Sequence, residues 1–166
     1  MTDIHVRLAD PADQARLVEF TRAMARETEN LELLPDVIAA GVRNVFQHPA
    51  YGFYLVAEVE GEIVGGLMVT TEWSDWRNGL FWWIQSVYVV PTHRRQGVYK
   101  RMYDLVGQLA AAHPHVCGFR LYVEKSNHDA QAAYRAIGME EKPYVMFQQV
   151  VRDQPFAEEV KRGDGG

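Results

Sequence analysis

Hydrophobic residues recur along this chain at two spacings, and each change of spacing marks the start of a new element. Alternating apolar positions and short apolar runs predict strands at residues 4–8, 54–59, 62–71, 80–90, 119–123 and 144–151. Apolar positions three and four apart predict helices at residues 11–26, 35–48, 98–112 and 130–137. Strands interleaved with helices in this order predict an α+β fold (an α/β three-layer arrangement), with helices on the faces of a sheet.

Turn and capping residues agree with these boundaries. Asp10 followed by Pro11 is typical of a helix start. The chain is long enough to bury one core, so we expect a single domain over residues 1–152. Residues 153–166 are polar, acidic and glycine-ended, which predicts a flexible C-terminal tail.

Composition and charge narrow the class of protein. The formal net charge of −5 at pH 7 argues against nucleic acid as a partner, because nucleic-acid binders carry broad basic surfaces. Cys117 is the single cysteine, which excludes an intramolecular disulfide and favours a reducing compartment. The first residues lack a signal-peptide pattern and no apolar run could span a bilayer, so we expect a cytoplasmic protein without a membrane partner. His113 and His115 have no further ligand cluster, so no metal site is expected.

Cations concentrate at one junction, between the strand predicted at 80–90 and the helix that begins at Val98. The cationic residues of this junction are His93, Arg94, Arg95, Lys100 and Arg101. Backbone N–H groups at a helix N-terminus have no intrahelical acceptor, and the helix dipole favours an anion there. Gly97 would let such an anion approach the backbone closely. The junction therefore predicts a site for a phosphorylated ligand, with a solvated surface turn as the alternative.

The order of elements and two local patterns resemble the GNAT superfamily of acyl-CoA-dependent N-acetyltransferases. The first pattern is the family's Q/R-x-x-G-x-G/A turn, matched by Arg94 and Gly97, with Tyr99 where the family usually has glycine or alanine. The second, similar to the family's second cofactor motif, runs through Asn127, Ala130, Tyr134, Gly138 and Met139. The resemblance implies a GNAT-like fold, with a central mixed, mostly antiparallel sheet of about six or seven strands flanked by about four helices.

The resemblance also implies acetyl-CoA as the acyl donor, without a metal. Backbone N–H groups near the end of the long strand would hold the pantetheine arm, and the basic turn would hold the diphosphate. Tyr134 would donate a proton to the departing thiolate, since a tyrosine with a pKa of about 10 stays protonated at neutral pH. Without the resemblance, Tyr134 fits a core aromatic and Asn127 a helix cap. The implied cofactor-binding residues are Val87, Tyr88, Val89, Arg94, Arg95, Gln96, Gly97, Val98, Tyr99, Lys100, Asn127 and Tyr134.

The general base stays open at this point. Some family members use a glutamate on the long strand, and the corresponding residue here is Gln85, whose amide cannot accept a proton. Glu72 and Glu27 are the candidate bases, because the family's acceptor cleft lies between their two regions; a solvated surface role is the alternative for each. Acidic residues and tryptophans could bind a cationic amine through cation–π contact, with core packing or a dimer surface as the alternative. The candidate acceptor-binding residues are Glu29, Trp73, Asp75, Trp83 and Gln85.

Together these residues predict an acetyl-CoA-dependent N-acetyltransferase that acts on the primary amine of a small molecule by direct attack on the thioester. Two alternatives remain. A protein lysine or N-terminal acetyltransferase would need a shallow open groove. A non-catalytic acyl-CoA-binding sensor is favoured by Gln85 and opposed by Tyr134. The resemblance further implies a homodimer.

Overall fold

The computed structural model describes residues 2–161, which contain seven strands and four α-helices. The strands are β1 (Ile4–Leu8), β2 (Leu31–Leu33), β3 (Phe53–Val59), β4 (Glu62–Ser74), β5 (Gly79–Val89), β6 (Val116–Arg120) and β7 (Ala157–Glu159). The α-helices are α1 (Gln14–Glu29), α2 (Pro35–Gln47), α3 (Val98–Ala111) and α4 (His128–Ala136). Across residues 2–161, none of the helices has the length and apolar character needed to cross a membrane.

Five of the strands form one mixed sheet in the order β1-β3-β4-β5-β6. The first four are antiparallel to their neighbours, and β6 joins β5 in parallel. Strands β2 and β7 form a separate antiparallel pair. The predicted α+β fold with a mixed, mostly antiparallel sheet is confirmed, with the strands divided between a sheet of five and a pair.

Two adjacent glycines in β4 show how the helices cover this sheet. A Cβ atom at Gly65 would lie 3.0 Å from Val98 of α3, whereas one at Gly66 would lie 3.0 Å from Leu17 of α1. Successive residues of a strand point to opposite faces, so α3 and α1 pack on opposite faces of the sheet. The largest fully buried side chains belong to Val42, Leu55, Val56, Leu67, Val69, Val98, Met102 and Val106.

The chain forms two compact units. Of the described residues, the first comprises 2–120 together with 155–161, and the second comprises Leu121–Gln154. In the second unit the Asn127 side chain caps α4 by accepting a hydrogen bond of 3.1 Å from the Ala130 N–H. The prediction of one domain over residues 1–152 stays a prediction.

Some predicted boundaries differ from those in the structure. The strand predicted at residues 144–151 is wrong: Phe147 is 94% exposed, and the segment has no strand neighbour within residues 2–161. Apolar alternation forms a strand only where a second strand edge supplies hydrogen bonds. Strand β6 spans Val116–Arg120 rather than 119–123.

The predicted C-terminal tail contains β7, which pairs with β2 in the register Leu31↔Glu159. The pairing continues beyond the strands, since the Leu34 N–H donates to the Phe156 carbonyl at 2.8 Å. Backbone hydrogen bonds of this kind do not depend on side-chain polarity, which explains why an acidic sequence gave no signal for a strand. Residues 162–166 of the tail lie outside the described residues.

Asp13 is a charged residue within the core, with 5% of its surface exposed. Its carboxylate accepts hydrogen bonds of 2.7 and 3.1 Å from Arg7 and one of 2.8 Å from the Asp10 N–H. The Arg7 guanidinium holds the pKa of Asp13 below its usual range. This arrangement ties β1 to the turn that starts α1.

Asp13→Ala is expected to lower the free energy of unfolding by about 2–3 kcal/mol, because Arg7 and the Asp10 N–H both lose an acceptor. Urea unfolding measures the change. Glu19→Gln is the matched control, since it removes an exposed pair with Arg16 and should cost at most about 0.5 kcal/mol. Equal losses in the two variants would contradict the role given to Asp13.

Candidate active site

Strand β5 is irregular near its end. Gly66 pairs with Tyr88 and Met68 with Gln85, so β5 has one residue more than β4 between these two pairs. Ser86 has a φ of +51°, in the left-handed region. This β-bulge leaves Ser86 without a register partner on β4 and turns the following backbone groups out of the regular ladder.

The pairing of β5 with β6 ends before this bulge. The last register pair is Trp83 with Arg120. From Gln85 to Val89, therefore, β5 has β4 as its only strand neighbour in the described part of the chain. An extended ligand could bond to such an edge as an added strand does.

The turn after β5 presents a row of backbone amides. Arg95 has a φ of +61° and Gly97 a φ of +84°. The first backbone hydrogen bond of α3 runs from the Arg101 N–H to the Gly97 carbonyl, at 3.0 Å. Within residues 2–161, the N–H groups of residues 95–98 and of Lys100 donate no hydrogen bond to a protein acceptor. This row lies at the positive end of a helix dipole and fits an anion such as a diphosphate.

The arginines around this turn divide into two groups. Arg94 reaches back, donating from Nε to the Val89 carbonyl at 2.8 Å and from Nη2 to Glu27 at 2.8 Å. The guanidinium groups of Arg95 and Arg101 make no hydrogen bond or ion pair with the described residues. Their charge is therefore available to an anionic ligand.

Tyr99 occupies the position where the family usually has a small residue. Its ring lies 6.3 Å from that of Tyr103, one turn further along α3, and its hydroxyl oxygen is buried. Lys100 also reaches one turn along the helix, to Asp104 at 2.9 Å. The tyrosine ring thus packs along α3. A diphosphate site can accommodate a tyrosine at this position only if its ring points away from the ligand.

Strand register places three of the predicted acceptor or base residues on one face of the sheet. Gln85 pairs with Met68, which packs against the core cluster that includes Leu17 of α1 and Val42 of α2. Trp83 lies two residues before Gln85 on β5 and therefore points to the same face. Thr70 pairs with Trp83, and Glu72 lies two residues after Thr70 on β4, so Glu72 points to this face as well. Gln85 is held in place, since its Nε2 donates to the Thr70 hydroxyl at 2.5 Å.

The other predicted acceptor residues lie elsewhere. Trp73 and Asp75 are at the tip of the β4–β5 hairpin, where Trp73 is exposed and Asp75 accepts a hydrogen bond from the Trp76 N–H at 2.9 Å. Glu29 is exposed at the C-terminal end of α1. Trp82, which precedes Trp83, is buried and contacts Phe53 edge to face, with ring centroids 5.2 Å apart, so this tryptophan packs in the core.

Both candidate bases are ion-paired. Glu72 accepts a short hydrogen bond from Arg120. The Arg94 guanidinium holds the pKa of Glu27 below its usual range. A carboxylate stabilised in its charged form is a weaker base, which counts against Glu27 as the general base. Each glutamate also has an arginine partner that sequence alone did not indicate.

Tyr134 and Asn127 belong to the second unit. Tyr134 lies half-buried on α4, and its carbonyl accepts a hydrogen bond of 3.0 Å from the Met139 N–H beyond the helix end. Gly138, with a φ of +93°, allows this reversal.

Two features of the site were missed by the sequence reasoning. The bulge at Ser86 had one available signal, the Gly65-Gly66 pair within a strand, because glycines in strand interiors often mark a bulge or a close approach. The ion pair between Glu27 and Arg94 joins residues 67 positions apart and has no local signal.

Comparison with known proteins places this geometry in a family. The model of the acetyltransferase (GNAT) family matches residues 15–139. A possible acetyltransferase from Clostridium difficile 630 is 38% identical, with a TM-score of 0.83, over 90% of this chain and 98% of that chain. No curated protein matches the chain.

Two more distant structures share the fold. The predicted acetyltransferase of Clostridium acetobutylicum, solved with acetyl-CoA, is 16% identical, with a TM-score of 0.74 over 89% of this chain and 96% of that chain. An aminoglycoside N-acetyltransferase in complex with CoA is 16% identical, with a TM-score of 0.68 over 92% of this chain and 97% of that chain. Given the family match and the relative at 38% identity, this chain belongs to the GNAT acetyltransferase family.

Proposed function

We propose that this chain is an acetyl-CoA-dependent N-acetyltransferase that acetylates the primary amine of a small molecule. The observation that carries the proposal is the junction from β5 to α3. There, a few residues after a bulged strand end, the amides of residues 95–98 and Lys100 have no protein acceptor among residues 2–161. Such a junction suits both parts of coenzyme A, the diphosphate on the amides and the pantetheine arm along the strand edge.

Acetyl-CoA, when bound, supplies an activated acetyl thioester. Backbone N–H groups near Val87, redirected by the bulge at Ser86, would donate to the carbonyl oxygen, on which negative charge develops as the amine attacks. The strand edge would also align the donor with the acceptor, so that the amine attacks within one complex. The acceptor nitrogen thereby gains the acetyl group and gives up its proton.

Tyr134 is proposed, from the family resemblance, as the residue that gives a proton to the departing sulfur. A phenolic hydroxyl is a hydrogen-bond donor that can also give up its proton, which suits the role. Asn127 caps α4 and so fixes the start of the helix that carries Tyr134.

The acceptor is proposed to be a small cationic amine. Glu72, Trp83 and Gln85 share one face of the sheet, which offers a carboxylate and an aromatic ring to such a group. The aminoglycoside N-acetyltransferase among the structural neighbours supports an acceptor of this class. We expect the amine to lose its proton through water, with Glu72 and Glu27 as the candidate bases, each of which is paired with an arginine.

A non-catalytic acyl-CoA sensor is the second candidate. It is favoured by Gln85, which is held by Thr70 at a position where some family members have a catalytic glutamate. Binding and turnover separate the two candidates, because a sensor would bind acetyl-CoA without transferring its acetyl group.

The test has two stages. Acetyl-CoA should raise the melting temperature, because a ligand of the native state stabilises it by mass action. Free-thiol release is then measured across aminoglycosides, polyamines, simple amines and lysine peptides, with release expected from small amines. Binding without release would favour the sensor, release from peptides alone would favour a protein acetyltransferase, and absence of binding would overturn the proposal.

A further inference from the structure

Glu27 joins three elements of the first unit through its two carboxylate oxygens. Oε1 accepts a hydrogen bond of 2.9 Å from the Tyr88 hydroxyl, near the end of β5. Oε2 accepts one of 2.8 Å from Nη2 of Arg94, at the start of the turn. The last turn of α1 is thereby connected both to the end of β5 and to the turn that precedes α3.

Arg94 completes the connection. Its Nε donates to the Val89 carbonyl at 2.8 Å, and its guanidinium carbon lies 5.4 Å from the centre of the Tyr88 ring. Two of its donors are therefore bonded to protein groups, the Val89 carbonyl and the Glu27 carboxylate. The sequence resemblance made Arg94 a cofactor-binding residue, whereas these contacts show its guanidinium bonded to the strand end and to Glu27.

The groups in this cluster are in the protonation states that the contacts need. Burial raises the pKa of Tyr88, which is 8% exposed, so its hydroxyl remains a donor. The Arg94 guanidinium lowers the pKa of Glu27, so its carboxylate remains an acceptor at neutral pH. At neutral pH, therefore, Tyr88 can donate to Glu27 and Glu27 can accept from Arg94.

The turn next to this cluster needs such support. Arg95, with a φ of +61°, is a non-glycine residue in the left-handed region, and it directly follows Arg94. A conformation of this kind persists only where the surrounding structure holds it. An anion site made of backbone amides also binds tightly only if those amides already point the same way before the ligand arrives.

We propose that Glu27 is a positioning residue for coenzyme A: by holding Arg94 and Tyr88 together, it fixes the amide turn at residues 95–98 without touching the cofactor. This inference rests on the proposed function, because it assigns Glu27 to the diphosphate site of that function. Glu27 was a candidate general base on sequence grounds, and this proposal gives it a positioning role instead.

The two other roles open to these residues predict different results. If Arg94 bound the diphosphate directly, Glu27 would compete with the ligand, and removing its charge would strengthen binding. If Glu27 were the general base, its loss would lower kcat and leave the affinity for the cofactor unchanged. A positioning role weakens binding and leaves kcat at saturating acetyl-CoA close to that of the wild type.

Glu27→Gln is the central variant, because it keeps the side-chain shape and removes the charge that holds Arg94. Calorimetry with coenzyme A should show the dissociation constant rising about fivefold to tenfold, as expected when a charge-assisted hydrogen bond is lost. Steady-state assays should show the same rise in KM for acetyl-CoA. Glu27→Asp, which keeps the charge, should recover part of the lost affinity.

Tyr88→Phe removes one of the two contacts and should raise the dissociation constant by a smaller factor than Glu27→Gln. The double variant should bind no more weakly than Glu27→Gln alone, because both changes act on one cluster. Glu19→Gln, which breaks an exposed Arg16–Glu19 pair on the same helix, is the control and should bind like the wild type. Melting temperatures are recorded for every variant.

The outcomes separate this inference from the proposed function. If the wild type does not bind coenzyme A, the proposed function fails. If the wild type binds and Glu27→Gln binds equally well or more tightly, the positioning role is overturned. A lower melting temperature with an unchanged dissociation constant would also overturn it, since that pattern indicates a structural role alone.

Discussion

Val98→Pro is expected to weaken coenzyme A binding by about tenfold to a hundredfold relative to Val98→Ala, because it removes one amide hydrogen from the proposed diphosphate site. Val98 is the first residue of α3, where proline is well tolerated because the helix needs no donor there. The residue before it is Gly97, whose missing Cβ atom removes one of the two clashes that a following proline ring makes; the other is with the Gly97 N–H group. Circular dichroism of the two variants is therefore compared first, so that the loss of one hydrogen-bond donor is distinguished from a change in the turn.

Val98→Ala is the matched variant, because it also disturbs the buried valine side chain but keeps the N–H group. Both variants should lose stability, since Val98 packs over Gly65 in the core. Calorimetry at a temperature where both are folded compares their dissociation constants for coenzyme A. Equal dissociation constants would contradict a bond from this amide to the ligand.

Tyr134→Phe is expected to lower kcat by about a hundredfold, because the departing thiolate loses its proton donor. The dissociation constant for acetyl-CoA should change by less than about threefold, since the phenyl ring remains. Thiol release with the best acceptor from the amine panel measures kcat, and calorimetry measures affinity.

Tyr144→Phe is the control for this change, because Tyr144 belongs to the same unit and is exposed. It should leave both parameters close to the wild type. If Tyr134→Phe lowers affinity while kcat stays high, Tyr134 packs against the cofactor without donating a proton. If neither parameter changes, the residue belongs to the core of its unit, as its helical spacing alone would suggest.

Much of the fold could be predicted from local sequence. Pro35 at the first position of α2 and the alternation in β5 mark boundaries that the structure reproduces closely. Glu60 and Gly61 both have positive φ, as a tight hairpin between two such strands requires. These features depend on residues close together in sequence, which is why a pattern reveals them.

The rest depends on pairing between distant residues. Segment 144–151 has strong strand character and yet has no strand neighbour within residues 2–161, whereas the acidic Ala157–Glu159 pairs with Leu31–Leu33. Tertiary structure decides which two strand edges pair, and the local propensity of a segment does not indicate its partner. For the same reason, the hydrogen bond from Arg94 to Glu27 could not be predicted from the sequence, since these residues belong to different elements of the first unit.

The candidate site shows the same division. The glycine and the arginines of the β5–α3 turn were visible as a motif, and the structure gives that turn a row of amides that have no acceptor within the described part of the chain. The left-handed Ser86 was not visible, because serine has no preference for that conformation and adopts it here only within the bulge. A motif thus indicated where a phosphate would bind, and backbone geometry indicated where a carbonyl would be polarised.

The most direct test of the central claim follows the backbone amides themselves. In ¹⁵N-labelled protein, titration with coenzyme A should shift the amide resonances of residues 95–98 and Lys100, and titration with pantetheine, which lacks the diphosphate, should leave them in place. Pantetheine should instead shift resonances near Val87. If these turn amides stay unmoved at saturating coenzyme A, the diphosphate is held elsewhere and the account is contradicted.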